Sequence, residues 1–399
     1  MTLPRLAIAL MIATPLAAQH APQPVTPDAW YAFTRLFDAA SDSDGVVGAS
    51  VLLVRRGRIV AHHEHGLADR AHGERVTERT LFHYGSITKT LTAIAIMQLR
   101  DRGRLALDDK IMRWVPELRQ VHDPYGAMDG ITIRMLLSHS AGFQNPTWPY
   151  GAGKAWEPFE PTTWAQLVAM MPYQELLFKP GSRYSYSNPG FIYLARVIEQ
   201  ISGDPWETYI QKNIFGPLAL SRSYFGATPY WMAEDRASNY TIRRDSAGRD
   251  ATVDNGRDFD PGITIPNGGW NAPLGDLAKY LAFLTSAPAG DTALRRRYDI
   301  VLARASLDEM WRGVVPESNA PATTDSVGLS FFISHKGATR IIGHTGSQAG
   351  FLSFMYIDPV TSTAVVMAMN TDNQTPRPAE RSAYRRILIA AVSLLTADK

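Results

Sequence analysis

Apolar positions change period along this chain, and each change marks an element. Trp30, Phe33 and Phe37 recur at helical spacing, which predicts a helix over Trp30–Ala40. Val46–Val54 is β-rich, Arg55–Arg58 holds a glycine turn, and β-like residues resume at Ile59, the pattern of a hairpin. Leu91, Ile94, Ala95 and Leu99 then set a buried helix with Ser86 at its head. Between about 104 and 300 the pattern is helices and long loops. Gly181–Asn188 reads as a loop feeding a helix with Pro189 in its first turn, Gly203 past its end, and a core face of Ile192, Leu194, Val197, Ile198 and Ile201. A further helix near Asp276–Phe283 follows the Gly268-Gly269 turn. The tail returns to strands at Val327–Ile333, Thr339–Ile342, Phe351–Ile357 and Thr363–Asn370, and a last helix covers about Ala379–Leu395.

Strands at both ends with helices between them predict an α+β fold, an α/β sandwich. One antiparallel sheet from N- and C-terminal strands is flanked by helices and interrupted by a mainly helical insertion. The first residues follow another pattern. Arg5, the short apolar stretch Leu6–Leu16 and the small pair Ala17-Ala18 predict a signal peptide over 1–18, followed by a flexible lead-in over 19–27 and one domain over 28–395. The apolar stretch is too short to span a bilayer comfortably, so the chain is expected to be exported, periplasmic or secreted, and soluble once cleaved. With no cysteine, neither a disulfide nor a cysteine-linked lipid is available. A net charge of +2 gives no strong pull toward nucleic acid or a membrane surface.

Three short motifs carry candidate chemistry. Ser86-Ile87-Thr88-Lys89 puts a hydroxyl and an amine on one helical face, and a hydroxyl needs a neighbouring base to become a nucleophile. Tyr186-Ser187-Asn188 offers a phenol, which a nearby ammonium makes easier to ionise, and an amide that presents both a donor and an acceptor. It also fits a turn with a core tyrosine. His344-Thr345-Gly346-Ser347, between β-like runs, offers strand backbone to an extended substrate or an oxyanion, and equally fits a polar hairpin turn.

In this order and at these spacings the three motifs resemble the class C β-lactamase family and its relatives, the DD-carboxypeptidases, D-aminopeptidases and β-lactamase-like esterases. Leu136-Leu-Ser-His-Ser-Ala-Gly-Phe143, Asn267-Gly-Gly-Trp270, Asp276-Leu-Ala-Lys-Tyr280, Gly350-Phe351 and Ile357-Asp358-Pro359 extend the resemblance over roughly 28–395. It implies the β-lactamase/transpeptidase-like fold and an acyl-enzyme mechanism without metal or cofactor. Ser86 would be the acylated nucleophile, Lys89 a cation that also shares the base role, and Tyr186 the general base and acid. Asn188 would position substrate. His344, Thr345, Gly346 and Ser347 would border it, with the amides of Ser86 and Ser347 as the oxyanion hole. Which group takes the first proton stays open.

One departure matters. Class C enzymes carry lysine where this chain has His344. An imidazole of pKa near ~6.5 is mostly neutral at pH 7, so attraction for a β-lactam carboxylate should be weak. The expected partner is a small molecule or peptide with an acyl carbonyl. The expected activity is that of an esterase or D-peptidase, with a true β-lactamase or a slowly deacylating penicillin-binding sensor as alternatives.

Other signals point elsewhere or nowhere. His62-His63-Glu64-His65 lacks the spacing of a helical zinc motif and reads as a solvated strand. His139 reads as structural support near the site. There is no Gly-x-Ser-x-Gly elbow, and Gly151–Lys154 lacks the flanks of a phosphate loop. Loops 144–161, with Trp148, Tyr150, Trp156 and Phe159, and 224–266, with Tyr230, Trp231 and Tyr240, carry aromatics that either line a pocket or form a satellite core.

Overall fold

The N-terminal hairpin takes the second and third places from one edge of a nine-stranded sheet. The computed structural model describes residues 26–143, 161–285, 291–318 and 325–396. The expected leader, nearly all of the lead-in, the aromatics of loop 144–161 and Gly151–Lys154 lie outside them. In chain order the strands are β1 (Gly48–Arg55), β2 (Arg58–Asp69), β3 (Glu74–Arg75), β4 (Leu81–His83), β5 (Tyr240–Arg244), β6 (Asp250–Asp254) and β7 (Asn271–Pro273). They continue with β8 (Val315–Pro316), β9 (Ser326–Val327), β10 (Phe332–Lys336), β11 (Thr339–Gln348), β12 (Phe351–Asp358), β13 (Thr363–Met369) and β14 (Thr371–Asn373). The large sheet has the order β3-β2-β1-β13-β12-β11-β10-β9-β8, and its neighbours pair antiparallel.

The two chain ends meet where β1 pairs with β13, from Ala49 opposite Met369 to Arg55 opposite Thr363. Both strands are buried on both faces. Side chains alternate across a strand, so β1 feeds two cores at once. Val51 and Leu53 join Val365 and Met367 beneath the helices Pro27–Asp44 and Ala383–Thr396. Leu52 and Val54 join Ala364 and Val366 against the helices Thr88–Asp101 and Leu274–Thr285. A helix–sheet–helix sandwich results, and the mainly helical segment after β4 packs on the second face.

Several elements depart from the sequence pattern. The run Val327–Ile333 is broken into β9 and β10, because Ser330 takes a positive φ of 72° and its N–H donates to the Leu137 carbonyl at 2.8 Å. The strand expected over Thr339–Ile342 continues to Gln348, so His344–Ser347 is strand rather than turn. The last helix is preceded by a separate 3-10 turn over Ala379–Arg381. Loop 224–266 contains the hairpin of β5 and β6, and β14 adds to β5 in parallel. No helix among the described residues is long and apolar enough to cross a membrane.

Candidate active site

Ser86 occupies a turn between β4 and the helix Thr88–Asp101. The turn is anchored on both sides. The Tyr84 N–H donates to the Trp270 carbonyl at 2.9 Å, and the Thr88 hydroxyl donates to the Gly85 carbonyl at 2.6 Å. The Ser86 carbonyl accepts the Lys89 N–H at 3.0 Å, so the helix winds directly out of the serine. Ser86 is partly open, while Lys89 is fully buried.

Lys89 explains much of the site. Its Nζ lies 3.1 Å from Ser86 Oγ, 2.8 Å from Asn188 Oδ1 and 2.9 Å from the Asn267 carbonyl. Among the described residues no carboxylate offsets its charge, and burial holds its pKa well below the ordinary lysine value. Its Nζ donates to all three oxygens, the Ser86 hydroxyl included. Asn188 reaches it from the first turn of the helix Asn188–Ser202, which Ser187 caps by accepting the Gly190 N–H at 3.2 Å.

Tyr186 lies over the same amine, with Lys89 Nζ 4.8 Å from its ring centroid. Its hydroxyl is covered. The Ser86 hydroxyl faces it closely enough to favour the phenolate, yet no hydrogen bond of full geometry joins them. Burial dominates and pushes the phenol up, so the ammonium-assisted phenolate expected from the sequence is not the resting state. His139 is stacked on the Tyr186 ring at 4.5 Å, and its Nδ1 accepts the Ser187 N–H at 3.1 Å. It adopts a positive φ of 55° and is fully buried, and burial followed by Lys89 keeps its imidazole neutral. His139 therefore seats the tyrosine loop.

Strand β11 closes the other wall. Its partner β10 ends at the pair Phe332–Gly343, so His344–Gln348 is hydrogen-bonded to β12 alone and leaves one strand edge free among the described residues. Gly346 lets this edge press on the serine turn, since a Cβ there would sit 1.9 Å from the Tyr84 carbonyl oxygen. From the other side, a Cβ on Gly85, which has φ 49°, would meet Ser347 N at 2.8 Å. His344 is buried, with Nδ1–H directed at the Thr345 carbonyl at 2.6 Å. Burial first, then Lys89, lowers its pKa to about 3, so it adds no cation.

Ser86, Tyr186, Asn188, His344, Thr345, Gly346 and Ser347 line one cavity of about 560 Å³, and Lys89 is buried behind that lining with its Nζ 3.1 Å from Ser86 Oγ. The sequence reading did not single out Tyr184, Glu317, Phe332, Ser334, Leu352, Tyr356 and Tyr384, which complete the wall. Asn267, in the Asn267-Gly-Gly-Trp270 stretch, holds Lys89 through its carbonyl. These residues carry no local motif, and only the fold brings them together. The aromatics of loop 224–266 are elsewhere: Tyr230 and Trp231 are exposed, and Tyr240 is buried with its hydroxyl accepting the Arg70 N–H at 2.8 Å. In β2 the histidines alternate. His63 and His65 face Asp38, at 2.8 and 3.1 Å, while His62 faces Glu64 and Glu78, whose ligand-type atoms lie within 4.8 Å of one another at the surface.

The family model described as Beta-lactamase matches residues 33–390. Esterase EstB of Burkholderia gladioli is 32% identical over 195 residues, which are 46% of this chain and 48% of EstB, so the match spans about half of that relative. Among solved structures, the D-amino acid amidase of Ochrobactrum anthropi SV3 superposes with a TM-score of 0.73 at 22% identity, over 93% of this chain and 99% of its own. A class C beta-lactamase mutant superposes with a TM-score of 0.71 at 19% identity, over 93% and 97%. Both likenesses are of fold.

Proposed function

Since the chain belongs to the Beta-lactamase family, we propose that it is a serine hydrolase that opens an amide or ester through an acyl-enzyme on Ser86. The observation that carries this reading is the buried Lys89 amine, 3.1 Å from Ser86 Oγ with two carbonyl-type acceptors and, among the described residues, no counter-ion.

Lys89 takes the Ser86 proton as the hydroxyl attacks the carbonyl carbon. The oxyanion forms against the amides of Ser86 and Ser347, which Gly85 and Gly346 bring together. As the tetrahedral adduct collapses, the Tyr186 hydroxyl protonates the leaving amine or alkoxide. The resulting phenolate lies beside the new Lys89 ammonium, which returns its proton to it. Water then attacks the acyl-enzyme with the same groups in reversed roles and releases the acid. Asn188 holds Lys89 and reaches the cavity, where it can orient substrate. The free edge of β11 suits an extended acyl chain. The neutral His344 favours esters and uncharged or amine-bearing peptides over β-lactams, so nitrocefin turnover should be slow. The Arg5–Ala18 pattern supports export.

The test is to incubate the protein with a fluorescent penicillin and a panel of p-nitrophenyl esters, and to find the adduct by peptide mass. Label on the Ser86 peptide and loss of both labelling and turnover in Ser86→Ala are expected. Label on any other peptide overturns the assignment.

A further inference from the structure

Among the described residues that line the cavity one is acidic, and its charge has no obvious employment. Glu317 directly follows the edge strand β8, its N–H donating to the Asp325 carbonyl at 3.1 Å, and it is half-buried in the wall of the cavity that holds Ser86. Among the described residues its carboxylate has neither a cation nor a hydrogen-bond donor. Two other carboxylates are paired: Asp69 with Arg257 at 2.8 Å and Asp235 with Arg79 at 2.8 Å. A carboxylate taken partly out of water without a partner is costly, and such groups are retained where a ligand completes them. Burial, and then Asp325, hold its carboxyl above the ordinary glutamate range.

What surrounds Glu317 defines the missing ligand. Its charge acts on the phenols of Tyr184 and Tyr356, both of which line the cavity. Tyr184 continues to Phe332 at 6.2 Å between ring centroids, and Phe332 to His344 at 5.2 Å, so an aromatic wall runs from the carboxylate toward the β11 edge. No lysine or arginine lines the cavity among the described residues, Lys89 is committed to three oxygens, and His139 and His344 are neutral. An acid beside aromatic faces in a cleft without free cations suits an organic ammonium, bound by charge, N–H donation and cation–π contact. The same arrangement repels a substrate carboxylate.

Resting on the reading of Ser86 as the acylated serine, we propose that Glu317, with Tyr184 and Tyr356, forms a subsite for a substrate ammonium, so that this hydrolase prefers amides and esters of amino acids with a free amine.

Paired probes test it on the full-length protein. Alanine p-nitroanilide of either configuration is compared with its N-acetyl counterpart, and p-nitrophenyl acetate reports the serine chemistry alone. The free-amine anilide should be the better anilide. Glu317→Gln should cost it about 10- to 100-fold in kcat/KM, chiefly through KM, while p-nitrophenyl acetate changes less than about twofold. Glu317→Lys should lower the free-amine anilide further and raise nitrocefin turnover. Equal losses on both probes in Glu317→Gln, or no preference for the free amine in the parent protein, overturns the subsite. Failure of the underlying reading is separate: it is p-nitrophenyl acetate turnover surviving in Ser86→Ala.

Discussion

At the scale of the residue, the proposed mechanism turns on two proton carriers whose burial sets opposite resting states. Burial disfavours charge, so it drives Lys89 toward the neutral amine and Tyr186 toward the neutral phenol. In the proposed mechanism the first is then the base and the second the acid. The base must be deprotonated, so kcat/KM for p-nitrophenyl acetate should rise with pH along a limb well below the ordinary lysine value and fall as Lys89 gains a proton. Lys89→Met should abolish that limb and lower kcat about 10²- to 10⁴-fold; an unchanged limb would assign it to another group. Tyr186→Phe should separate substrates by leaving group. A p-nitrophenolate leaves without a proton and an alkylamine does not, so the variant should lose far more activity on amides than on p-nitrophenyl esters. Equal losses would mean that Tyr186 acts earlier than expulsion.

At the scale of the element, the site depends on where a helix begins and how closely a strand can approach. Ser187 caps the helix Asn188–Ser202 and stands between Tyr186 and Asn188. Ser187→Ala should cost about 1 kcal/mol in urea unfolding, and loosening that turn should slow catalysis as well. Gly346→Ala should act without touching any reacting group. Its methyl would meet the Tyr84 carbonyl oxygen, so β11 must move off the serine turn. Displacing the β11 amides by about 1 Å should lower kcat about 10²-fold, with far-ultraviolet circular dichroism unchanged. The helices were legible because their apolar spacing and their ends agree: Pro189 and Gly203 bracket Asn188–Ser202. The hairpin of β5 and β6 was not. Asp250–Asp254 is exposed throughout, and its alternation of Ala251 and Val253 between polar residues is too short to mark a strand, so its strand state comes from pairing with Tyr240–Arg244.

At the scale of the whole molecule, the sandwich buries histidines that cannot keep a charge. Burial is the leading cause in each of three: His83 is lowered to about 4, His344 to about 3, and His139 well below its ordinary value. Unfolded, each would titrate near ~6.5. Their contribution to stability is complete above that value and drains as the pH falls, because the unfolded chain binds protons that the folded one refuses. The loss ends for His83 near pH 4 and for His344 near pH 3, where the folded imidazoles finally protonate. Each should take away about 1.4 kcal/mol per pH unit below ~6, which urea unfolding at pH 7, 6 and 5 will measure. His344→Asn should flatten the slope, and a slope unchanged by it would mean that this imidazole is already charged in the fold.

The sequence by itself determined the elements whose apolar period is strong, the order of three motifs along the chain, and through them the family. Those are local facts, written in spacing and residue type. Only the tertiary structure decided that β1 and β13 join residues more than three hundred positions apart. It likewise decided that the Asn267 carbonyl and Asn188 hold the same amine, and that Glu317 enters the cavity beside Tyr184 and Tyr356. The physical reason is burial. A lysine's proton affinity and a glutamate's need for a partner depend on what excludes water around them, and no neighbouring residue in the chain specifies that.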